Sequence, residues 1–167
     1  YLVFDRDWSG ALESLQNAVK LSPNDAGIIN LYGDYFYLIG DYANALQWES
    51  RAAELEPLSA VHQHELALVY GLLGRLEEAI ALERRAVQLS PEFRNAWASL
   101  GRMLIEAGQP EELAGFLVTR GECLADHGRI EETIQCYRWA CALAPNDPRY
   151  KALLQQYSNR LNHKHSL

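Results

Sequence analysis

Two stretches of apolar residues at helical spacing alternate along this chain, and the pair recurs. Ile28, Tyr32, Tyr35 and Ile39 mark one amphipathic helix, and Ala45, Trp48, Ala52 and Leu55 mark the next. Gly40-Asp41 separates them: glycine can take the positive φ at which a helix ends, and Asp41 can cap the helix that follows. Pro57 closes the second helix and Ser59 offers a cap for another. Pro23, Pro57 and Pro91 keep a stride of about 34 residues, and Gly40, Gly74 and Gly108 keep the same one. Two punctuating residues locked to one period predict a copied helix pair. Such a pair cannot cover its own apolar face and needs a neighbour stacked on it.

Residues without bulk recur where two helices must approach. Gly33, Ala67, Gly101 and Gly121 share one repeat position, Ala11, Ala45 and Ala79 a second, and Ala18, Ala52, Ala86 and Ala140 a third. On this frame the chain reads as one array, 1–167. It comprises a partial repeat 1–25, repeats 26–59 and 60–93, an irregular repeat 94–127, a C-terminal helix pair and cap 128–161, and a tail 162–167. The irregularity follows Gly108, where Gly128 comes too soon and Pro145 too late, so one helix with its turn is missing. Pro110 to His127 then reads as a single long helix, with Pro and two glutamates at its start and Leu113, Phe116, Leu117 and Leu124 along a stripe. Arg129–Leu143 and Arg149–Leu161 supply two more helices. Gln155, Gln156, Asn159 and Arg160 give the last one a wet outer face, and His163-Lys164-His165 reads as a frayed tail.

Trp97, Leu100 and Gly101, then Leu66, Ala67, Tyr70, Ala79, Ala86 and Pro91, follow a known pattern. So do Gly33, Phe36, Ala45, Ala52 and Pro57, and Ala11, Leu15, Ala18 and Pro23. These residues resemble the tetratricopeptide repeat, a helix–turn–helix unit. The resemblance implies an all-α fold, a right-handed α-solenoid of antiparallel helix pairs with an irregular fourth repeat and a capping helix. A weaker likeness, carried by Phe4 to Asp25 and Glu56-Pro57-Leu58-Ser59, is to such repeats in bacterial signalling and regulatory proteins. Two departures stand out. Glu49 and Glu83 occupy a position the family fills with a large apolar residue, and are expected at the rim, paired with Arg51, Arg84 or Arg85. Trp48 and Trp139 sit where the family is polar; Trp139 is expected to fill core and Trp48 to form an outer patch.

Net charge of −7 and a pI near 5.2 change the picture of partners. No basic face for phosphate is seen, so no nucleic-acid partner is expected, while a basic or neutral peptide is allowed. Cys123, Cys136 and Cys141 are an odd count in a chain that does not look disulfide-stapled, and read as free thiols in a reducing, cytoplasmic setting. No apolar run approaches the roughly 18 residues of a membrane span. The chain opens at Tyr1 without an initiator Met and is expected to be a piece of something longer. His62 and His64 lie about 200° apart around a helix and cannot easily chelate one ion. No metal-ligand spacing, phosphate loop or nucleophile elbow is present, so no catalytic residues, metal ligands or cofactor are assigned.

The expected role is therefore a non-catalytic protein-interaction module, holding a peptide or helix of another protein. The resemblance places the partner-binding groove at Asn30, Asp34, Tyr37 and Leu38, at His64, Glu65, Leu68 and Leu72, and at Asn95, Ser99 and Arg102. Members that clamp a chaperone's terminal carboxylate use cations where this chain has Val61, Glu65, Asn95 and Ser99, and Asp34 and Glu65 would repel that ligand. The alternative role is a self-association or regulatory segment, a homodimer formed through the truncated first repeat, where Trp8, Leu12 and Leu15 lack a full partner helix.

Overall fold

The computed structural model describes residues 8–164. Two compact units divide it, Tyr1–Leu100 and Gly101–Leu167, and each stands here by itself. All secondary structure among the described residues is helical: α1 (Trp8–Leu21), α2 (Ala26–Leu38), α3 (Tyr42–Leu55), α4 (Ala60–Leu72), α5 (Leu76–Leu89), α6 (Arg94–Glu106), α7 (Pro110–Asp126), α8 (Ile130–Leu143) and α9 (Pro148–Lys164). The division falls within α6.

Local chemistry sets these ends. Asp25 Oδ1 accepts from the Ile28 amide at 3.0 Å and Asp41 Oδ1 from the Asn44 amide at 3.2 Å, capping α2 and α3. Ser59 caps α4 more loosely, its Oγ lying 3.4 Å from the His62 amide. Gly40 and Gly74 sit at φ 82° and 73°, and the amide after each closes onto a carbonyl five residues back (Asp41 to Phe36, Arg75 to Tyr70, both 2.9 Å). Glycine reaches that left-handed conformation without a steric penalty, so each first helix ends in the same hydrogen-bonded turn.

In the first unit α2 packs on α3, α4 on α5 and α3 on α4, while α1 leans on α2. Ala45, Ala52, Ala67, Ala79 and Ala86 are wholly buried, as expected of positions where helices approach. Ile29, Val69, Ile80 and Leu100 fill the flanks. Trp8 meets Tyr35 edge-on at 5.8 Å, and Leu12 and Leu15 are half-buried. One contact repeats across consecutive units. Arg51 Nη2 donates to the Pro23 carbonyl at 2.6 Å, and Arg85 Nη2 to the Pro57 carbonyl at 3.1 Å.

In the second unit α7 packs on α8, and α8 on α9. The long α7 matches the expected single helix, with Leu113 and Leu124 buried and Phe116 and Leu117 half-buried. Gly121 is needed where it stands: a Cβ there would lie 2.6 Å from Tyr137 Cε1. The Tyr137 ring is fully buried, rests 5.4 Å from Tyr157 of α9, and its hydroxyl finds no hydrogen-bond partner among the described residues. Gln155, Gln156, Asn159 and Arg160 are exposed, as expected of a wet face. The tail expected from residue 162 is corrected, since α9 continues to Lys164; residues 165–167 lie outside the described residues, as do 4–7 of the weaker likeness.

The two tryptophans exchange the roles expected of them. Trp139 is 51% exposed, because it lies two residues beyond Tyr137 and so on the outward side of α8. Trp48 instead leans on Tyr32 at 4.7 Å and is half-buried, with the Arg51 guanidinium 5.9 Å from its ring.

Gly121→Ala should destabilise the second unit by roughly 1–3 kcal/mol, because the rigid Tyr137 ring cannot yield without disturbing the core. Gly101→Ala is the control: its Cβ would meet Leu113 Cδ1 at an ordinary 3.6 Å, and relief of glycine's helix penalty should stabilise by about 0.5–1 kcal/mol. Tyr137→Phe should stabilise by about 1 kcal/mol, since it removes a buried hydroxyl that bonds to nothing. Urea unfolding of the three variants checks all three signs.

Candidate functional site

The residues expected to line a groove fall on α2, α4 and α6. On α2, Asn30 is buried, Asp34 and Tyr37 are half-buried and Leu38 is exposed; on α4, His64 is buried, Glu65 and Leu68 are half-buried and Leu72 is exposed. On α6, Asn95 is exposed, Ser99 is buried, and Arg102 is exposed with Glu106 3.7 Å away. The structure brings α2 and α4 into contact, so the first two groups share one surface. Leu38 and Leu72 stand 59% and 49% exposed at the same position of consecutive repeats. His62 and His64 do turn apart: His62 Nε2 lies 3.3 Å from Glu56 Oε2, and His64 reaches Glu83.

Behind this surface lies a feature that reasoning from the sequence placed wrongly. Glu49 and Glu83 are 1% and 0% exposed, not at a rim, and neither of the outer arginines Arg51 and Arg85 takes them up. Each instead meets a buried polar residue on the first helix of its own pair. Asn30 Nδ2 donates to Glu49 Oε2 at 2.8 Å, and His64 Nδ1 lies 2.8 and 3.1 Å from the two Glu83 oxygens. The pairs occupy equivalent repeat positions. The signal was available: the family puts a large apolar side chain at this place, so whatever residue stands there points inward.

The two pairs differ in charge. Burial pushes the Glu49 carboxyl up to about 8, against the Asn30 hydrogen bond, and the charges of Asp34 and Glu65 push the same way. Its Oε1 has no hydrogen-bond partner and presses on Gly33, where a Cβ would overlap it. For His64, burial disfavours the imidazolium, but the hydrogen bond and charge of Glu83, with Glu65 adding, hold it above its ordinary value. Desolvation also raises Asp34, against the charge of His62, and raises Glu65, with Asp34 and Glu83 adding and His64 opposing. The surface between α2 and α4 is thus a pair of half-buried carboxylates flanked by exposed leucines. No helix among the described residues is long and apolar enough to cross a membrane.

Two tetratricopeptide repeat family profiles match the chain, one over residues 1–61 and one over 63–93, together more than half its length. Among curated proteins, the TPR repeat-containing thioredoxin TTL4 of Arabidopsis thaliana is 29% identical over 100 residues, 60% of this chain. The chain spans only 15% of the length of that relative. Among solved structures it is similar to YrrB, described as a TPR protein with an unusual peptide-binding site, at TM-score 0.59 and 18% identity over 91% of this chain and 86% of that one. MamA aligns at TM-score 0.58 and 17% identity, over 93% and 80% of the two chains. These likenesses show the fold class, the all-α solenoid type that the repeat pattern implied.

Stability should fall as pH rises. Between the ordinary glutamate range and about 8, folded Glu49 keeps a proton that the unfolded chain releases, so alkalinisation favours unfolding. The raised His64 acts in the same sense: its stabilisation is complete below the unfolded imidazole's pKa and disappears as pH climbs through the folded one. Melting temperatures between about pH 6 and 8.5 should therefore decline. Glu49→Gln, which can still accept from Asn30 and carries no charge, should flatten the decline and melt higher at the alkaline end. A Gln variant as steep as the parent would show that Glu49 does not titrate in this range.

Proposed function

The chain belongs to the tetratricopeptide repeat family, and from that premise we propose that it is a protein-interaction module holding a peptide or helix of another protein. The proposed face is built by Asp34, Tyr37 and Leu38 of α2 and Glu65, Leu68 and Leu72 of α4, with Asn30 and His64 bracing it from behind. Asn95 and Ser99 extend the proposal onto the start of α6.

One observation carries this reading. Leu38 and Leu72 expose large apolar side chains at one repeat position, in register and on helices that touch. Apolar side chains held at a regular interval suit an occupant that offers its own at matching steps. Covering a leucine side chain is worth about 1.5–3 kcal/mol when burial is complete, so two that begin half-exposed can supply a substantial part of a micromolar affinity. The fold itself prescribes no partner, which is why the reading rests on these residues.

Peptides selected from a displayed random library against the protein, then titrated in solution, test the proposal. Tyr37→Ala/Leu38→Ser/Leu72→Ser should weaken the selected peptides at least about tenfold. Leu21→Ser/Leu58→Ser, which alters exposed leucines outside the proposed face, should leave affinity unchanged. Equal binding by parent and triple variant would move the occupied surface elsewhere.

A further inference from the structure

In the first unit the proline turns between repeats are each met by a side-chain N–H. Arg51 donates to the Pro23 carbonyl and Arg85 to that of Pro57, each from 28 residues further on. Gln63 Nε2 lies 3.4 Å from the Pro57 carbonyl, and Trp97 Nε1 donates to that of Pro91 at 2.8 Å. A guanidinium, an amide and an indole thus do the same thing: each offers N–H to a carbonyl that lies outside any helix.

The second unit departs from this arrangement. Trp139 precedes Ala140 as Arg51 precedes Ala52 and Arg85 precedes Ala86, so it holds the register of the two arginines. The residue 28 positions back is Glu111, inside α7, which at 17 residues is longer than the 13 of α2 and α4. A carbonyl within a helix is taken by the amide four residues on, and no proline turn stands at that place. Trp139 is instead 51% exposed.

A second observation adjoins it. A cavity of about 120 Å3 is lined by Trp139 with Arg120, Leu124, Glu132, Gln135 and Cys136, residues of α7 and α8. Leu124 and Cys136 are buried and give it apolar surface. Arg120, Gln135 and Trp139 are the same three donor types that the first unit brings to its prolines. Glu132 is the one carboxylate of the lining, and Arg129 already engages both its oxygens at 2.7 Å.

We propose that Trp139 and this cavity take a proline-bearing segment of another protein. A pyrrolidine ring lies on the indole at the cavity mouth, and backbone carbonyls of the segment accept from Trp139, Gln135 and Arg120. The occupant then stands to Trp139 as the Pro23 and Pro57 turns stand to Arg51 and Arg85. Proline has no N–H, so a proline-rich stretch presents acceptors without donors, in an extended conformation already short of entropy to lose. An aromatic ring among donors matches both features. The site lies on other helices than the face of α2 and α4 and does not depend on that reading.

The test uses a capped, fluorescently labelled nine-residue peptide of proline and alanine, and a matched peptide with serine for each proline. Neither is charged, so attraction to net charge plays no part. Titrated by anisotropy, the proline peptide should bind at least about tenfold more tightly than the serine peptide, and Trp139→Ala should weaken it at least about tenfold. Trp139→Phe keeps a ring and loses the donor, and should recover only part of the affinity. Because residue 139 faces outward, both variants should melt as the parent does, so loss of binding is not loss of fold. Arg138→Ala, exposed on α8 and outside the cavity lining, should leave binding unchanged, as should Tyr37→Ala/Leu38→Ser/Leu72→Ser. Equal affinity for the two peptides, no binding of the proline peptide, or full binding by either Trp139 variant would overturn the assignment. Weakening by the leucine variant in place of the Trp139 variants would overturn it too, by moving the proline segment to α2 and α4.

Discussion

Where the helices of a pair run closest, one supplies a residue without bulk and the other lays a large side chain over it. Gly33 receives Glu49 and Gly121 receives Tyr137, at equivalent places in two differently spaced repeats. The position is inside whatever residue occupies it, because the backbones cannot separate without opening the seam that buries Ala45, Ala52 and Ile29. A residue chosen here must fit the cavity first and have its polarity satisfied second. Tyr137 meets the first demand and leaves its hydroxyl without a partner; Glu49 and Glu83 meet it with a carboxyl group, and the consequences extend to the surface.

A carboxylate sealed from water requires a donor within the protein. Asn30 donates to Glu49, and His64 lies within hydrogen-bond distance of Glu83. Both are buried, while Asp34 and Glu65 on the same helices are half-buried and Leu38 and Leu72 are exposed. The acidic character of the α2–α4 surface is thus connected to the identity of two buried residues. Neutral Asn30 lets Glu49 keep its proton, whereas His64 lets Glu83 share an ionic hydrogen bond, so one repeat position supports two kinds of chemistry.

Much of the fold was legible because its determinants are local. Gly40 and Gly74 specify the helix ends by backbone conformation alone, Asp25 and Asp41 cap by side chains three residues from their targets, and the buried alanines announce the seams. The long α7 could be read from Pro110 and its apolar stripe. Side-chain direction around a helix was less legible. Trp139 and Trp48 exchanged places because their type suggests burial or stickiness while their position decides which occurs. Glu49 and Glu83 were sent to the rim for the same reason: charge was weighed above register. Of the residues expected to line a groove, Leu38 and Leu72 stand exposed, but the sequence could not reveal that Asn30 and His64 were already engaged with carboxylates nineteen residues away.

Repeats that contact only their neighbours can vary one at a time, provided each seam still closes. Arg51 and Arg85 illustrate the conserved half of that bargain, each fastening a second helix to the proline carbonyl of the preceding unit. Asn30–Glu49 and His64–Glu83 illustrate the variable half, since the two pairs fill similar space with different charge. Variation at the seam then reaches the surface without any change of backbone: whichever residue the buried carboxylate engages is withdrawn from solvent, and its neighbours define what is exposed there. Partner chemistry in such a scaffold is set as much by the residues that cannot be seen from solvent as by those that can.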